Sequence, residues 1–333
     1  MIIEVHFMHL LAAFFLSVFL SLLIGKPFIC FLQKWQIGQV IRQSGPESHY
    51  SKKGTPTMGG LLIIAVMTVV MALFGDWHNP LILMGMVTLW LFAGIGFLDD
   101  YTKLILKHSK GLASRYKYLL QSLVGLVIAV WFLHYFKSVG EPLFISLPFT
   151  SHVILLGPVA FVCLAYLVIV GASNAVNLTD GLDGLSILSI IPVAFGLGVF
   201  AFLHPNLAAR EEALLCMTLV GAGFGFWWFN AYPATLFMGD VGALAFGALF
   251  GFIAISLQME LALFIMGGIF VMETLSVILQ VGSFRLRNKK RIFKMAPIHH
   301  HFELLGWHEN KVVARFTLIT LLLVLFGLCG FIH

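Results

Sequence analysis

The chain has 333 residues, 60% of them hydrophobic and 11% charged, with a formal net charge of +5. A water-soluble domain carries about 25% charged residues, so this apolar excess excludes a single soluble core and points to an integral membrane protein. No basic tract with interleaved aromatics is present, which speaks against nucleic acid as a partner.

A membrane-crossing helix needs about 20 apolar residues. The first window covers about 8–31. Its apolar run has no basic segment before it and no small-residue cleavage site after it, so it reads as a retained spanning helix. Further windows follow at about 57–75, 80–98, 118–136, 152–172, 185–204, 211–228, 242–258, 261–281 and 313–332, with only "LQMEL" between the eighth and ninth. The expected fold is all-α, a single polytopic domain over 1–333 with ten transmembrane helices. The segment "KSVGEPLFISLPFTSH" between the fourth and fifth is long enough for a short hairpin. Cys30, Cys163, Cys216 and Cys329 show neither metal-ligand spacing nor a pairing pattern and read as small buried hydrophobes.

Ten crossings return the chain to its starting side. Lys34, Arg42, Lys52 and Lys53 fall in one loop, Lys103, Lys107, Lys110, Arg115 and Lys117 in another, and Arg285, Arg287, Lys289, Lys290, Arg291, Lys294 and Lys311 in a third. These are most of the 20 basic residues, and they share one set of alternate loops. The positive-inside rule makes that set cytoplasmic. Cytoplasmic loops are then expected at about 32–56, 99–117, 173–184, 229–241 and 282–312, with both termini periplasmic.

Of the aspartates, only Asp76 falls on the outer side; Asp99, Asp100, Asp180, Asp183 and Asp240 gather at cytoplasmic ends of spans. Acidic residues at membrane depth are costly and are functional candidates. The stretch "SKKGTPTMGG" opens the second span, where Thr55, Thr57, Gly59 and Gly60 at a helix start can bind an anion through backbone N–H groups; Lys52 and Lys53 serve in part the inside-positive signal. "GFLDDYTKLILK" closes the third span. Its adjacent carboxylates repel and can share a proton or a cation, and on a continued helix Lys103 and Lys107 lie beside them. "GASNAVNLTDGLDGLS" joins the fifth and sixth spans. Asn174, Asn177, Thr179, Asp180 and Asp183 exceed what one helix cap needs and suit a polar ligand, although an ordinary turn uses the same residue types. "WWFNAYPATLFMGDVGAL" places Asp240 beside Gly239, just before a helix. Mg²⁺ is commonly held by one or two carboxylates plus substrate phosphates. The aromatics there suit a membrane-interface belt, with Phe237 placed to stack on a base.

In "PIHHHFELLGW", His299, His300 and His301 cannot converge on one metal, because consecutive helical residues fan out by about 100°. Imidazoles facing the aspartate side can instead contact phosphate or sugar oxygens; a solvated basic loop is the plainer alternative. Carboxylates, a Mg²⁺ site and lysines at a membrane face suit phosphate and pyrophosphate chemistry, with one lipid and one soluble substrate.

Taken together, "KKGTPTMGG", "FLDDYTK", "NAVNLTDGLDGL", "NAYPATLFMGD" and "PIHHHFELLGW" closely resemble the bacterial phospho-N-acetylmuramoyl-pentapeptide-transferases, members of the polyprenyl-phosphate N-acetylhexosamine-1-phosphate transferase superfamily, in order and over essentially the whole chain. The resemblance implies a Mg²⁺-dependent homodimer in the bacterial inner membrane. Its implied reaction moves phospho-N-acetylmuramoyl-pentapeptide from a UDP-linked precursor to undecaprenyl phosphate and releases UMP. Asp99 then corresponds to the base acting on the lipid phosphate, Asp100 to its essential neighbour and Asp240 to the Mg²⁺ ligand. Asp183, Asn230 and Phe237 correspond to a uridine pocket, with Gly181 and Leu182 beside it. Lys52, Thr57, Asp180 and Gln280 correspond to sugar and phosphate contacts, and the histidines to recognition of the nucleotide-sugar, His299 within the catalytic set. A two-step scheme with an aspartate nucleophile stays open. A sister enzyme transferring N-acetylglucosamine phosphate to the same lipid shares the acidic motifs, but the uninterrupted "HHHFE" resembles the muramoyl branch. A transporter would show broken-helix repeats and mid-membrane charge.

Overall fold

The computed structural model describes residues 2–34, 54–104 and 111–331. Its helices are α1 (Ile2–Lys34), α2 (Gly60–Phe74), α3 (Pro80–Leu104), α4 (Ser114–Val139), α5 (Pro158–Thr179), α6 (Leu185–Leu203), α7 (Leu207–Arg210), α8 (Glu212–Asn230), α9 (Gly239–Ser256), α10 (Glu260–Met266), α11 (Gly268–Leu286), α12 (Ile298–Leu304) and α13 (Glu309–Phe331). Between α4 and α5 lies a two-stranded antiparallel hairpin, β1 (Phe144–Ser146) with β2 (Val153–Leu155), pairing Ile145 with Ile154. The hairpin expected from the outer segment is therefore present. Its second strand displaces the start of the fifth span from 152 to Pro158.

Among the described residues, nine helical runs are long and apolar enough to cross a membrane. The segment expected as the second span is a helix of 15 residues, about 22 Å long at 1.5 Å per residue. That is shorter than the roughly 30 Å hydrocarbon core. The ninth expected span, 261–281, is two helices broken at Gly267, and the second runs on to Leu286. The third extends beyond 98 to Leu104, which keeps Asp99, Asp100 and Lys103 on one continuous helix.

The innermost helix is α9, where every residue from Val241 to Ser256 is buried. Its sequence "GDVGALAFGALFGFIAIS" is rich in small residues, which let helix backbones approach closely inside a bilayer. A methyl group added at Gly251 would meet Ile169 Cα of α5 at 2.6 Å, and Gly247 one turn earlier touches Ala172 and Ser173 of the same helix. Large side chains fill the bundle elsewhere: Phe92, Phe132, Phe161, Phe246 and Phe252 are fully buried. The outer faces carry exposed apolar residues such as Phe15, Leu119 and Val159, the last 79% exposed, as lipid contact requires. The cysteines are unpaired, but only Cys216 is buried. Cys30, Cys163 and Cys329 are exposed, because at lipid-facing positions apolar character does not imply burial.

Candidate active site

Four elements meet at one end of the bundle. The last turn of α3 brings Asp99 and Asp100, both buried, and the first turn of α9 brings Asp240. One oxygen from each of these carboxylates lies within 4.8 Å of the others, the acidic cluster among the described residues with metal-binding spacing. Gly239 makes this convergence possible. It sits at φ +76°, and a Cβ there would lie 2.6 Å from Asp100 Oδ2 and 3.0 Å from Thr57 Oγ1. The turn that starts α9 thereby folds against the carboxylates, and Val241 N–H donates to Asp100 Oδ2 at 3.1 Å.

Two lysines bind the cluster together. Lys103 Nζ pairs with Asp99 Oδ2, lies 2.8 Å from Asp240 Oδ2 and 4.0 Å from Asp100 Oδ1. Lys117, on α4, reaches Asp240 Oδ2 at 2.7 Å and Asp99 Oδ2 at 3.5 Å. With its amide oriented to satisfy both neighbours, Asn177 donates to Asp240 Oδ1 at 3.0 Å and accepts from Lys117 Nζ at 3.1 Å. Asp99 Oδ1 accepts from Leu112 N–H at 2.8 Å. Half-buried Asp180 caps α5 beside this group. Burial first, then the charges of Asp240 and Asp183, push its carboxyl up to about 7, against a lowering hydrogen bond from the Gly239 backbone.

The expected uridine residues hold the neighbouring loops in register. Asp183 Oδ2 accepts from Ala234 N–H at 2.9 Å, and Asp183 N–H donates to Glu309 Oε1 at 2.6 Å. Asn230 accepts from Gly184 N–H at 3.1 Å and donates to the Leu236 carbonyl at 2.8 Å. Phe237 is half-buried, and its backbone ties to Pro56 and Gly59, next to buried Thr57. Leu182 is spent on a small apolar cluster with Leu185, Ile269, Val312 and Phe316. Asn174 turns away from the carboxylates to Gln121 and the Val170 carbonyl, both at 2.8 Å. Gln280 accepts from Ile292 and Phe293 N–H and donates to the Phe293 carbonyl, clamping the loop before α12. Lys52 and Lys107 lie outside the described residues.

The three histidines occupy α12 and diverge, as consecutive helical residues must. His299 is buried, with Nδ1 3.0 Å from Glu273 Oε1. His300 Nδ1 lies 2.7 Å from Glu303 Oε2, and His301 Nδ1 accepts from Lys294 N–H at 3.1 Å. Only His299 reaches the acidic loops, packing on Gly181.

Sequence reasoning missed Lys117, Glu273 and Glu309. Lys117 was absorbed into the inside-positive count. Glu273 did carry a signal, a lone acid inside the apolar run "GIFVMETLSVIL", the costly placement that marks a functional residue. Glu309 carries no signal beyond that of an acid in a helix first turn.

The comparisons agree with this geometry. Residues 81–258, more than half of the chain, match the family model described as glycosyl transferase family 4. Residues 52–64 match phospho-N-acetylmuramoyl-pentapeptide-transferase signature 1. A phospho-N-acetylmuramoyl-pentapeptide-transferase from Francisella tularensis subsp. tularensis is 49% identical over 329 residues, covering 94% of this chain and 90% of its own. Its namesake from Francisella philomiragia is 48% identical over 327 residues, covering 94% and 89%. With a family model over more than half of the chain and relatives at 48–49% identity over 94% of it, the chain belongs to glycosyl transferase family 4, within the phospho-N-acetylmuramoyl-pentapeptide-transferases.

Proposed function

We propose that the protein transfers phospho-N-acetylmuramoyl-pentapeptide from its UDP-linked precursor to undecaprenyl phosphate, releasing UMP and forming the first lipid-linked intermediate of peptidoglycan synthesis. The observation that carries this is the cluster of buried Asp99 and Asp100 with partly buried Asp240, braced by Lys103 and Lys117 at the end of a lipid-facing bundle. In the reaction an oxygen of the lipid phosphate attacks the sugar-linked phosphorus. The bond from that phosphorus to the bridging oxygen breaks, and UMP carries the oxygen away.

Asp99 takes the proton from the lipid phosphate. It is engaged on both oxygens, so it does this only by exchanging Lys103 for the incoming phosphate, and the freed ammonium then faces the phosphoryl oxygens. Lys117 holds Asp240 and orders Asn177 beside it. Three carboxylates offering hard oxygen ligands within 4.8 Å fit Mg²⁺, with Asp240 as the principal ligand and Asp99 and Asp100 beside it. When bound, the ion supplies charge neutralisation at the diphosphate. The loops bearing Asp183, Asn230 and Phe237 hold the uridine. Thr57, Asp180, Gln280 and the α12 histidines His299, His300 and His301 serve the sugar and phosphates, together with Lys52 and Lys107. Asn174 stiffens α5 below them.

The one-sided distribution of Lys and Arg supports an inner-membrane protein of ten spans, α2 being the short one, with both termini periplasmic and the site cytoplasmic. The protein works as a homodimer. The test is purified protein in detergent with undecaprenyl phosphate, Mg²⁺ and either UDP-N-acetylmuramoyl-pentapeptide or UDP-N-acetylglucosamine. Lipid product and UMP are expected with the first donor alone; turnover of only the second would assign the chain to the sister activity.

A further inference from the structure

Glu273, which the reaction as described does not use, pairs with His299. Glu273 lies on α11 with no solvent exposure, and His299 on α12 is 1% exposed. Their closest approach is Glu273 Oε1 to His299 Nδ1 at 3.0 Å, and the second carboxylate oxygen accepts from His299 N–H at 3.4 Å. The carboxylate thus grips both the imidazole and the backbone of one residue. The far edge of the ring lies against the loop of Asp180 and Asp183. A Cβ at Gly181 would overlap Nε2 and stand 2.7 Å from Cε1. Nε2 has no hydrogen-bond partner among the described residues, and the Nδ1–Oε1 contact is a close electrostatic approach without hydrogen-bond alignment. A buried polar atom without a partner is costly, and one that persists calls for a functional account.

We infer that Glu273 is a positioning residue. It fixes the His299 ring with Nδ1 turned inward, so that Nε2 faces the Asp180–Asp183 loop as a hydrogen-bonding group for the nucleotide-sugar donor. The chemistry is that of a carboxylate–imidazole pair, in which the carboxylate beside one nitrogen sets the role of the other. The geometry also explains two sequence features at once: a single acid within an apolar helix, and a glycine where the loop passes under the ring. His300 and His301 have different partners, Glu303 and Lys294, so the arrangement singles out one histidine of three.

The inference rests on the transferase reading, and the test separates the two. Wild type, Glu273→Gln, His299→Ala and the double variant are purified in detergent. KM for the UDP-linked donor and for the lipid phosphate is measured for each, with the melting temperature. Glu273→Gln keeps the shape of the side chain but not its charge. It is expected to raise the donor KM about tenfold and leave the lipid KM unchanged, to have almost no effect when His299 is already Ala, and to be partly rescued by Glu273→Asp. Unaltered kinetics in Glu273→Gln overturn the inference, as do equal changes in both KM values or multiplying effects of the two substitutions. If Glu273→Gln does not fold, Glu273→Asp carries the same cycle. A wild type that does not turn over this donor overturns the functional reading itself.

Discussion

Lys117 shows how much of the site depends on contacts that no motif announces. Its ammonium is shared between Asp240 and Asp99 while Asn177 accepts from it, so it sets the spacing of carboxylates that the chain separates by more than a hundred residues. Lys117→Met should lower kcat by roughly a hundredfold, the scale of one lost electrostatic group at a reacting centre, with the lipid product read by thin-layer chromatography. Asp99→Asn and Asp240→Asn should abolish transfer while leaving the melting temperature within a few degrees; full activity in either would remove these residues from the site. Asp180 supplies a pH test. Its carboxyl is pushed up to about 7 from 3.8 by burial and by Asp240. The native state therefore holds a proton that the unfolded chain has released, and stability falls as pH rises from about 4 to about 7. Asp180→Asn mimics the neutral form. In the absence of divalent ions it should raise the melting temperature most at pH 8 and by clearly less at pH 5, the gain shrinking towards pH 4. The aspartates were legible in the sequence because acids are rare in apolar chains. Lys103 was legible from helix spacing and Asn177 from its polar loop, but Lys117 and the pairing itself were not, because contact across α3, α4, α5 and α9 depends on packing that no local pattern encodes.

At the level of elements, the apolar windows located the helices well and their ends poorly. The third span ran on through Asp99 and Asp100 because nothing in "FLDDYTKL" breaks a helix, and Lys103 one turn later offsets the acids. The fifth began late because Val153–Leu155 pairs with Phe144–Ser146; a β-branched apolar segment serves a strand or a helix equally well by hydropathy. The ninth broke at Gly267, which hydropathy windows do not see. Packing of α5 on α9 is the element-level feature on which the site rests, since α5 carries Asn177 and Asp180 and α9 carries Asp240. Gly251→Leu should force these helices apart, at about 1–3 kcal/mol for overpacking. It should lower melting temperature and activity together. Gly282→Ala on α11 is the control: a Cβ there meets nothing within 4 Å, and both readouts should hold.

For the whole molecule, the question is whether α2 crosses the membrane. Its 15 residues are too few to span hydrocarbon alone, yet most of them are buried against other helices. The chain just before it is irregular, and its backbone is satisfied by protein: Gly59 N–H donates to the Phe237 carbonyl and Gly60 N–H to Met238. Non-helical backbone at membrane depth is tolerated where protein covers it, so α2 can cross by starting within the site instead of at the lipid surface. Parity makes this measurable. From the hairpin to the loop after α11 the chain makes five crossings by α5, α6, α8, α9 and the α10–α11 pair, so these two segments face opposite sides. The loop before α3 lies two crossings from the hairpin and shares its side. With Cys30, Cys163 and Cys329 replaced by Ser, the exposed positions Ser151 and Asn288 and the exposed His78 before α3 are each changed to Cys and treated with a membrane-impermeant maleimide. Spheroplasts should label Ser151→Cys and His78→Cys, and inverted vesicles Asn288→Cys alone. Because the start of α2 hydrogen-bonds within the site and its end leads to His78, that pattern carries α2 across the membrane. Labelling of His78→Cys from the same side as Asn288→Cys would put both ends of α2 on one side, leaving α2 re-entrant and removing α3 or α4 from the crossings.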